Sequence, residues 1–225
     1  MLSAMSNRPR QLALALGHVE SYGREDFLSG PCNEAALALI DAWPDWPGNA
    51  AALVAPEGSG KTHLAMVWAA AAGARVISAR ALGEADLPSA LATGALVVED
   101  ATVKADERAL FHLLNLAREE KASILFTART MPTAWPVAIP DLVSRLRALP
   151  VISLLAPDDA MLRAVIVKLA ADRQLALDES VVGYLLPRIE RSFAAARAAV
   201  IALDNEALRQ GRPATRALAA EMFRG

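Results

Sequence analysis

The chain has 225 residues, of which 54% are hydrophobic, with a mean hydropathy of +0.29, a formal net charge of −2 and a pI of about 6.0. This length suffices for one substantial core with a small appended domain, while the slightly acidic balance argues against nucleic-acid binding by charge alone. The longest apolar run is shorter than the roughly 20 residues that span a bilayer, and the single cysteine and three scattered histidines exclude an internal disulfide and a metal-ligand spacing, so we expect a soluble cytoplasmic protein without a membrane partner.

The first patterned segment is QLALAL, residues 11–16, in which Gln11 precedes leucines at every second position, Leu12, Leu14 and Leu16. Such a peptide fits a preformed groove on a partner, where the glutamine makes polar anchoring contacts and the leucines fill an apolar channel. The same residues also fit an edge strand or a hydrophobic arm packed on its own domain.

Short β-rich runs then alternate with helix-like stretches rich in Ala, Leu, Glu and Arg. The runs LVVED and ILFTA are continuously apolar rather than alternating, which predicts strands buried on both faces of a parallel sheet covered by helices. The predicted strands are residues 51–55, 74–79, 95–99, 123–128 and 151–155.

A loop with the sequence WPDWP, residues 43–47, precedes the first of these strands. We interpret its tryptophans as packing residues, although a binding role for the loop stays open. Beyond about Pro157 the strand patterns stop, and Asp158 or Asp159, Asp178 and Thr215 are suited to cap successive helices. The tail is therefore predicted to be a small helical domain.

The most informative segment is LVAPEGSGKTHLA, residues 53–65, where a strand, a glycine-bearing turn and a helix start follow the GxxxxGK[ST] pattern of a phosphate loop. Its backbone N–H groups would surround a phosphate, Lys61 would neutralise the phosphate oxygens, and Thr62 would offer its hydroxyl to Mg²⁺. Ala55 occupies the slot of the first glycine, which departs from the pattern. The predicted nucleotide-binding residues of the loop are Pro56, Glu57, Gly58, Ser59, Gly60, Lys61, Thr62 and His63.

Two carboxylates end the LVVED strand at the edge where open α/β sheets bind ligands. Glu99 would orient Mg²⁺ through water, and Asp100 would position or activate an attacking water. Thr127 ends the ILFTA strand, where it either hydrogen-bonds a phosphate or the lytic water, or caps the turn.

In these motifs the chain resembles the DnaA-like replication initiators of the AAA+ ATPase class, and most closely their short Hda or HdaA type. The resemblance rests on residues 27–33, GSGKTHL, LVVED, ILFTAR, residues 140–146 and three predicted helices of the tail, residues 161–171, 181–189 and 193–203. It implies a five-stranded parallel sheet in the order 5-1-4-3-2 with a helical lid, and it places Leu28 beside the adenine of a bound ADP or ATP. The implied divisions are an extension over 1–25, a nucleotide-binding core over 26–156 and a lid over 157–225.

The resemblance also assigns an arginine finger to Arg145, with Arg147 close by, so that one subunit reaches the phosphate held by its neighbour. The family's lid arginine aligns with Ala194, and Arg191 or Arg197 could substitute for it only if the helix is rotated. Together with Glu99, which stands where aspartate is usual, this departure implies weak intrinsic ATP hydrolysis.

The resemblance implies that the protein is an ADP-bound adaptor that negatively regulates the initiation of replication. It would dock through residues 11–16 on the sliding clamp, the β subunit of DNA polymerase III, and stimulate hydrolysis of ATP bound to DnaA. Because the chain ends after the lid, direct sequence-specific DNA binding is not expected, and homo-oligomerisation stays open. The alternative is a self-sufficient ATPase that remodels a target or loads a helicase.

Overall fold

The computed structural model describes residues 23–24, 27–46, 48–101 and 105–224; the predicted clamp-binding segment, residues 11–16, lies outside them. In the described chain, five parallel strands form one sheet in the order β2-β3-β4-β1-β5. This is the predicted order, and the fold class is confirmed. The strands are β1 Ala50–Val54, β2 Arg75–Ser78, β3 Ala95–Glu99, β4 Ser123–Ala128 and β5 Val151–Ser153.

Helices cover both faces of this sheet, which explains why the central strands are apolar at every position. All five residues of β1 are buried, and alternate side chains enter two separate core layers. The helices before and between the strands are α1 Glu34–Asp41, α2 Lys61–Ala72, α3 Leu87–Leu91, α4 Glu107–Glu119 and α5 Pro140–Ala148. One layer includes Ala52, Leu113 of α4 and Leu146 of α5, and the other includes Leu53, Leu64 and Trp68 of α2.

The tryptophans of the loop at residues 43–47 pack into the second layer. Trp46 stacks on Trp68 with 5.1 Å between ring centroids, and Trp43 meets the same ring edge-on at 6.1 Å. The indole N–H of Trp43 donates to Ser123 Oγ at 3.0 Å. These contacts agree with the interpretation of the tryptophans as packing residues.

After β5 the described chain continues as α6 Asp159–Asp172, α7 Glu179–Leu185, α8 Phe193–Gln210 and α9 Arg216–Met222. Of the two predicted caps for α6, Asp158 is the one observed, with its Oδ1 accepting from the N–H of Met161 at 2.7 Å. Asp178 and Thr215 cap α7 and α9 as predicted, at 3.1 and 3.3 Å. Within the described residues, no helix is both long and apolar enough to cross a membrane.

Two lid helices differ in length from the predicted ones. Helix α7 ends at Leu185 rather than Ile189, since Pro187 lacks the backbone donor that a continuing helix needs. Helix α8 extends past the predicted end at Leu203 and is closed by Gly211, whose φ of +63° is the left-handed cap that favours glycine.

Candidate nucleotide-binding site

The phosphate loop connects β1 to α2 at the carboxyl edge of the sheet. It turns at Gly58 and Gly60, whose φ angles of +75° and +86° lie in the region that side chains with a Cβ disfavour. The second of these glycines is the N-cap of α2, so the positive end of the helix lies at the loop. This is the arrangement that binds a phosphate anion.

The departure from the pattern at Ala55 has a local explanation. Ala55 is 2% exposed and belongs to the second core layer, and its N–H donates to the carbonyl of Ala128 at 3.1 Å. It is not among the residues with positive φ. A methyl group is therefore accommodated at this position, and the turn itself depends on the two later glycines.

The side chain of Lys61 is buried, with the residue 6% exposed, and its Nζ lies 3.4 Å from the carbonyl oxygen of Pro56. Burial lowers the pKa of this ammonium from its ordinary value of 10.5, and the nearby charge of Asp100 is the main opposing influence. The positive charge is thus only partly compensated within the chain. An anion bound in the loop would complete the compensation.

The acidic edge predicted after β3 lies next to this lysine. Besides Asp100, the charges of Glu99, Glu57 and Arg129 all influence the pKa of Lys61, which places the two motifs in one site. A threonine hydroxyl and carboxylate oxygens are ligands of the kind Mg²⁺ prefers. The chemistry of Thr62 and Glu99 therefore fits a magnesium ion that accompanies a nucleotide.

Thr127 holds the backbone immediately after β3. Its hydroxyl accepts from the N–H of Asp100 at 3.1 Å, and its carbonyl accepts from the N–H of Ala101 at 2.7 Å. Asp100 has a φ of +53°, which is uncommon outside glycine and is tolerated best by Asn and Asp. Of the two roles considered for Thr127, the observed contact corresponds to holding the turn.

Sequence reasoning did not assign a role to Arg129, which follows β4 at the same edge. Its guanidinium lies 2.9 Å from Glu57 of the phosphate loop, and both side chains are more than half exposed. Its position could have been predicted from the sequence, since Arg129 follows Thr127 by two residues and the carboxyl ends of neighbouring parallel strands share an edge. Arg129 is thus a second cation beside the phosphate loop.

The lid contacts the phosphate loop directly, a contact that the sequence did not predict. The N–H of Phe193 donates to the carbonyl of Gly58 at 2.9 Å. A Cβ at Gly58 would lie 2.8 Å from the Cβ of Ala194, and one at Gly60 would lie 3.2 Å from the Phe193 ring. Ala194 thus faces the phosphate loop.

Arg191 points to a different part of the lid. Its guanidinium lies 2.8 Å from Asp159 at the start of α6, and both side chains are more than 60% exposed. Arg197 lies one turn after Phe193 on α8. Together with Asp159, Arg191 lines a cavity of about 440 Å³ whose other walls are Arg163, Gly183, Leu186, Pro187 and Ile189.

The segment predicted to pack beside the adenine is fixed by a buried amide. Asn33, 2% exposed, accepts from the N–H of Gly30 and donates to the carbonyl of Leu28, both at 2.9 Å. Phe27 meets His63 of α2 edge-on at 5.3 Å between ring centroids. The space for a Cβ at Gly30 is taken by the end of the Met161 side chain of α6. Leu28 therefore lies on a segment held by both the core and the lid.

Arg145 lies on α5, and its side chain contacts Asp141 and Phe111, which are not part of the phosphate loop. It bonds Asp141 at 2.9 Å, one turn earlier on the same helix, and its guanidinium lies 5.8 Å from the ring centroid of Phe111 on α4. Its side chain is 28% exposed.

Replacing Gly58 with alanine is expected to push the lid off the phosphate loop and lower nucleotide affinity about tenfold. The new methyl group would overlap Ala194, and overpacking of this kind costs about 1–3 kcal/mol. Titration calorimetry with ADP checks the affinity. Gly73→Ala is the matched control, because Gly73 has a similar φ of +62° and a Cβ added there would meet no neighbouring atom within 4 Å.

A second substitution separates the lid contact from damage to the loop itself. Ala194→Gly removes the methyl group that the new side chain meets, so the Gly58→Ala, Ala194→Gly double variant should recover much of the lost affinity. The recovery is incomplete because glycine inside a helix costs about 1 kcal/mol. Equal affinities for Gly58→Ala and Gly73→Ala would contradict a lid that closes on the loop.

No protein-family profile matches the chain, and no curated protein matches it. Solved structures do match. Domain III of the replication initiation protein DnaA from Thermotoga maritima aligns with a TM-score of 0.72 at 20% identity, covering 90% of this chain and 96% of that one. AMPPCP-bound DnaA from Aquifex aeolicus gives 0.67 at 19% identity, covering 84% and 66%. The Thermotoga maritima RuvB Holliday junction branch migration motor gives 0.69 at 17% identity, covering 89% and 70%. The chain therefore has the AAA+ fold that these proteins share.

Proposed function

We propose that this chain binds an adenine nucleotide between its phosphate loop and its lid and stimulates hydrolysis of ATP held by DnaA. One observation carries the proposal: Arg145 on α5 contacts Asp141 and Phe111 rather than a residue of the chain's own phosphate loop, in a fold that covers 96% of DnaA domain III. A cation in that place is available to the nucleotide of a neighbouring subunit rather than to its own.

Nucleotide binding is supported by the site itself. Lys61 is a buried, partly compensated cation at the start of α2, and two glycines with positive φ form the turn that leads into the positive end of this helix. The DnaA from Aquifex aeolicus was solved with AMPPCP bound in the same fold. We propose ADP or ATP with Mg²⁺ as the ligand, held by Lys61, Thr62 and Glu99.

The contacts of Arg145 within the chain are weak compared with the effect of an arginine finger on hydrolysis. Its bond to Asp141 is an exposed pair one helical turn apart, worth about 0.3–0.5 kcal/mol, and its position over Phe111 adds about 0.5–1 kcal/mol. An arginine finger on a transferring phosphoryl group accelerates hydrolysis about 10³-fold or more, which corresponds to roughly 4 kcal/mol. The contacts within the chain can therefore hold Arg145 in place without preventing its use.

Hydrolysis of the ATP on DnaA would leave the initiator in its ADP form and limit a further round of initiation. We propose that residues 11–16 tether the chain to the sliding clamp, so that the regulator acts where replication has begun. A tether raises the local concentration, so a weak pairing between the two ATPase domains suffices. This makes the chain a negative regulator that links clamp loading to inactivation of DnaA.

The tether is tested by changing Gln11 and Leu14 together to alanine. We expect this variant to lose retention on immobilised sliding clamp and to stimulate hydrolysis by DnaA only at protein concentrations at least about 100-fold higher than the wild type. The measurements are a clamp pull-down and a concentration series of ADP formation on clamp-loaded DNA.

The control keeps the glutamine and the leucines. Ala13→Ser with Ala15→Ser changes the alternate positions of the same segment and should behave as the wild type in both measurements. If the Gln11→Ala, Leu14→Ala variant stimulates DnaA at wild-type concentrations, the clamp tether is wrong.

An alternative is a self-sufficient ATPase that remodels a target or loads a helicase. The conformation of Asp100 favours it, since this carboxylate stands directly after β3, in a backbone region that costs energy, beside Lys61. Such an enzyme would turn over ATP without DnaA, and Asp100→Asn would abolish that turnover.

A further inference from the structure

We propose that Glu107 is a positioning residue for Arg145: it fixes the start of α5 and thereby the direction in which the finger is offered. This inference rests on the function proposed above. Glu107 is the first residue of α4, and Arg145 lies near the end of α5. Glu107 and Arg145 are linked in two ways: Glu107 binds the backbone ahead of α5, and Phe111, on the same face of α4 as Glu107, lies beside Arg145.

The carboxylate of Glu107 serves α5 rather than its own helix. Helix α4 is capped by Asp106, whose Oδ1 accepts from the N–H of Ala109 at 2.9 Å. One oxygen of Glu107, Oε1, accepts instead from the backbone N–H groups of both Ala138 and Ile139, more than thirty residues further along the chain. A carboxylate that binds two backbone donors across such a distance fixes the two segments together.

Helix α5 needs such an external acceptor. It begins at Pro140, and its N-cap residue, Ile139, has an apolar side chain that makes no capping hydrogen bond. The N-terminal end of a helix carries partial positive charge, so a carboxylate just ahead of it is favourable. Glu107 of α4 thus provides the hydrogen-bond acceptor that the side chain at the N-cap of α5 lacks.

The same face of α4 also touches the finger. Phe111 follows Glu107 by one helical turn, so the two side chains lie on one face. Glu107 binds the start of α5, and the ring of Phe111 lies 5.8 Å from the Arg145 guanidinium. Between these two points, α5 is anchored in the core by Leu142 and Leu146, which are 0% and 1% exposed.

Without the carboxylate, the backbone before Pro140 loses its acceptor, and α5 can tilt about its two buried leucines. The guanidinium at the other end of the helix then moves relative to the partner's phosphate. A misplacement of about 1 Å in a catalytic group can cost on the order of 10²-fold in rate. We therefore expect Glu107→Ala to lower the maximal stimulation of DnaA hydrolysis about 10-fold to 100-fold.

The experiment compares four variants of the full chain: Glu107→Ala, Glu107→Gln, Arg145→Ala and the double variant Glu107→Ala, Arg145→Ala. Single-turnover hydrolysis of DnaA-bound ATP is measured over a concentration series on clamp-loaded DNA. Glu107→Ala should lower the maximal rate and leave the half-saturating concentration within about twofold. Glu107→Gln, which keeps an amide oxygen as acceptor, should retain the rate within about threefold. Glu119→Ala, at the other end of α4, is the matched control and should behave as the wild type.

Because Arg145→Ala alone should bring the rate close to the basal rate, the double variant should match Arg145→Ala. Full stimulation by Glu107→Ala would overturn the positioning role. A fall of the same size for Glu107→Gln, or a rise in half-saturating concentration alone, would overturn it as well. If Arg145→Ala itself stimulates normally, the proposed function fails instead, so the two failures are distinguishable.

Discussion

Replacing Lys61 with methionine is expected to lower the affinity for ADP and ATP about 100-fold or more. A charged donor to a phosphate in a buried site is worth about 3 kcal/mol, and methionine fills the same space without the charge. Titration calorimetry measures the loss. In a thermal unfolding assay, ADP at 100 times the wild-type dissociation constant adds about 2.7 kcal/mol of stability to the wild type, about 5–10 °C, and should add about 0.4 kcal/mol or less to Lys61→Met, about 1 °C.

The same variant should not destabilise the nucleotide-free protein. Because burial lowers the folded-state pKa of Lys61 below 10.5, the charged form costs stability at neutral pH. This cost disappears as the pH rises through the folded-state pKa towards 10.5, so the gain from Lys61→Met should shrink at high pH. The exposed Lys121→Met is the control and should keep both nucleotide binding and the ADP-dependent shift. A wild-type response to ADP in Lys61→Met would contradict the assignment of the phosphate loop.

Replacing Arg145 with alanine is expected to lower the stimulation of DnaA-bound ATP hydrolysis about 10³-fold, to near the basal rate. The variant removes a guanidinium and leaves the buried leucines of α5 in place, so nucleotide binding and clamp retention should be unchanged. Single-turnover hydrolysis of DnaA-bound ATP, with this chain in excess over DnaA, measures the effect.

Arg147→Ala is the matched control, because Arg147 is an exposed arginine on the same helix. We expect it to stimulate DnaA within about threefold of the wild type. The opposite outcome, in which Arg147→Ala is inactive and Arg145→Ala is active, would move the finger to the second arginine. If both variants stimulate normally, α5 does not supply a cation to DnaA.

Much of the sheet could be predicted because its central strands are apolar on both faces. A run such as residues 95–99 favours a parallel strand between two layers of helices, and the carboxylate at its C-terminal end then marks the ligand edge. The caps Asp178 and Thr215 could be predicted from the local sequence, since each side chain accepts from an N–H three residues away, whereas the sequence left Asp158 and Asp159 open as the cap of α6. Contacts between residues close together in the chain can therefore be predicted from the local sequence.

The remaining features depend on contacts between distant segments. Nothing in the pattern around Gly58 shows that Phe193 donates to its carbonyl, and nothing near Glu107 shows that its carboxylate binds the backbone ahead of α5. Periodicity tells which face of a helix is buried, but it does not tell which element covers that face. Arg191 illustrates the same point, because its pairing with Asp159 depends on the packing of α6 rather than on its neighbours in sequence.

We propose that the hydrolysis by which this chain acts takes place on DnaA and not on the chain itself. The decisive measurement loads labelled ATP on DnaA alone, loads this chain with ADP, and follows the label on clamp-loaded DNA. We expect the chain to accelerate conversion of the DnaA-bound ATP to ADP, while the chain alone turns over added ATP weakly or not at all. Equal rates with and without the chain, together with steady ATP turnover by the chain itself, would contradict it.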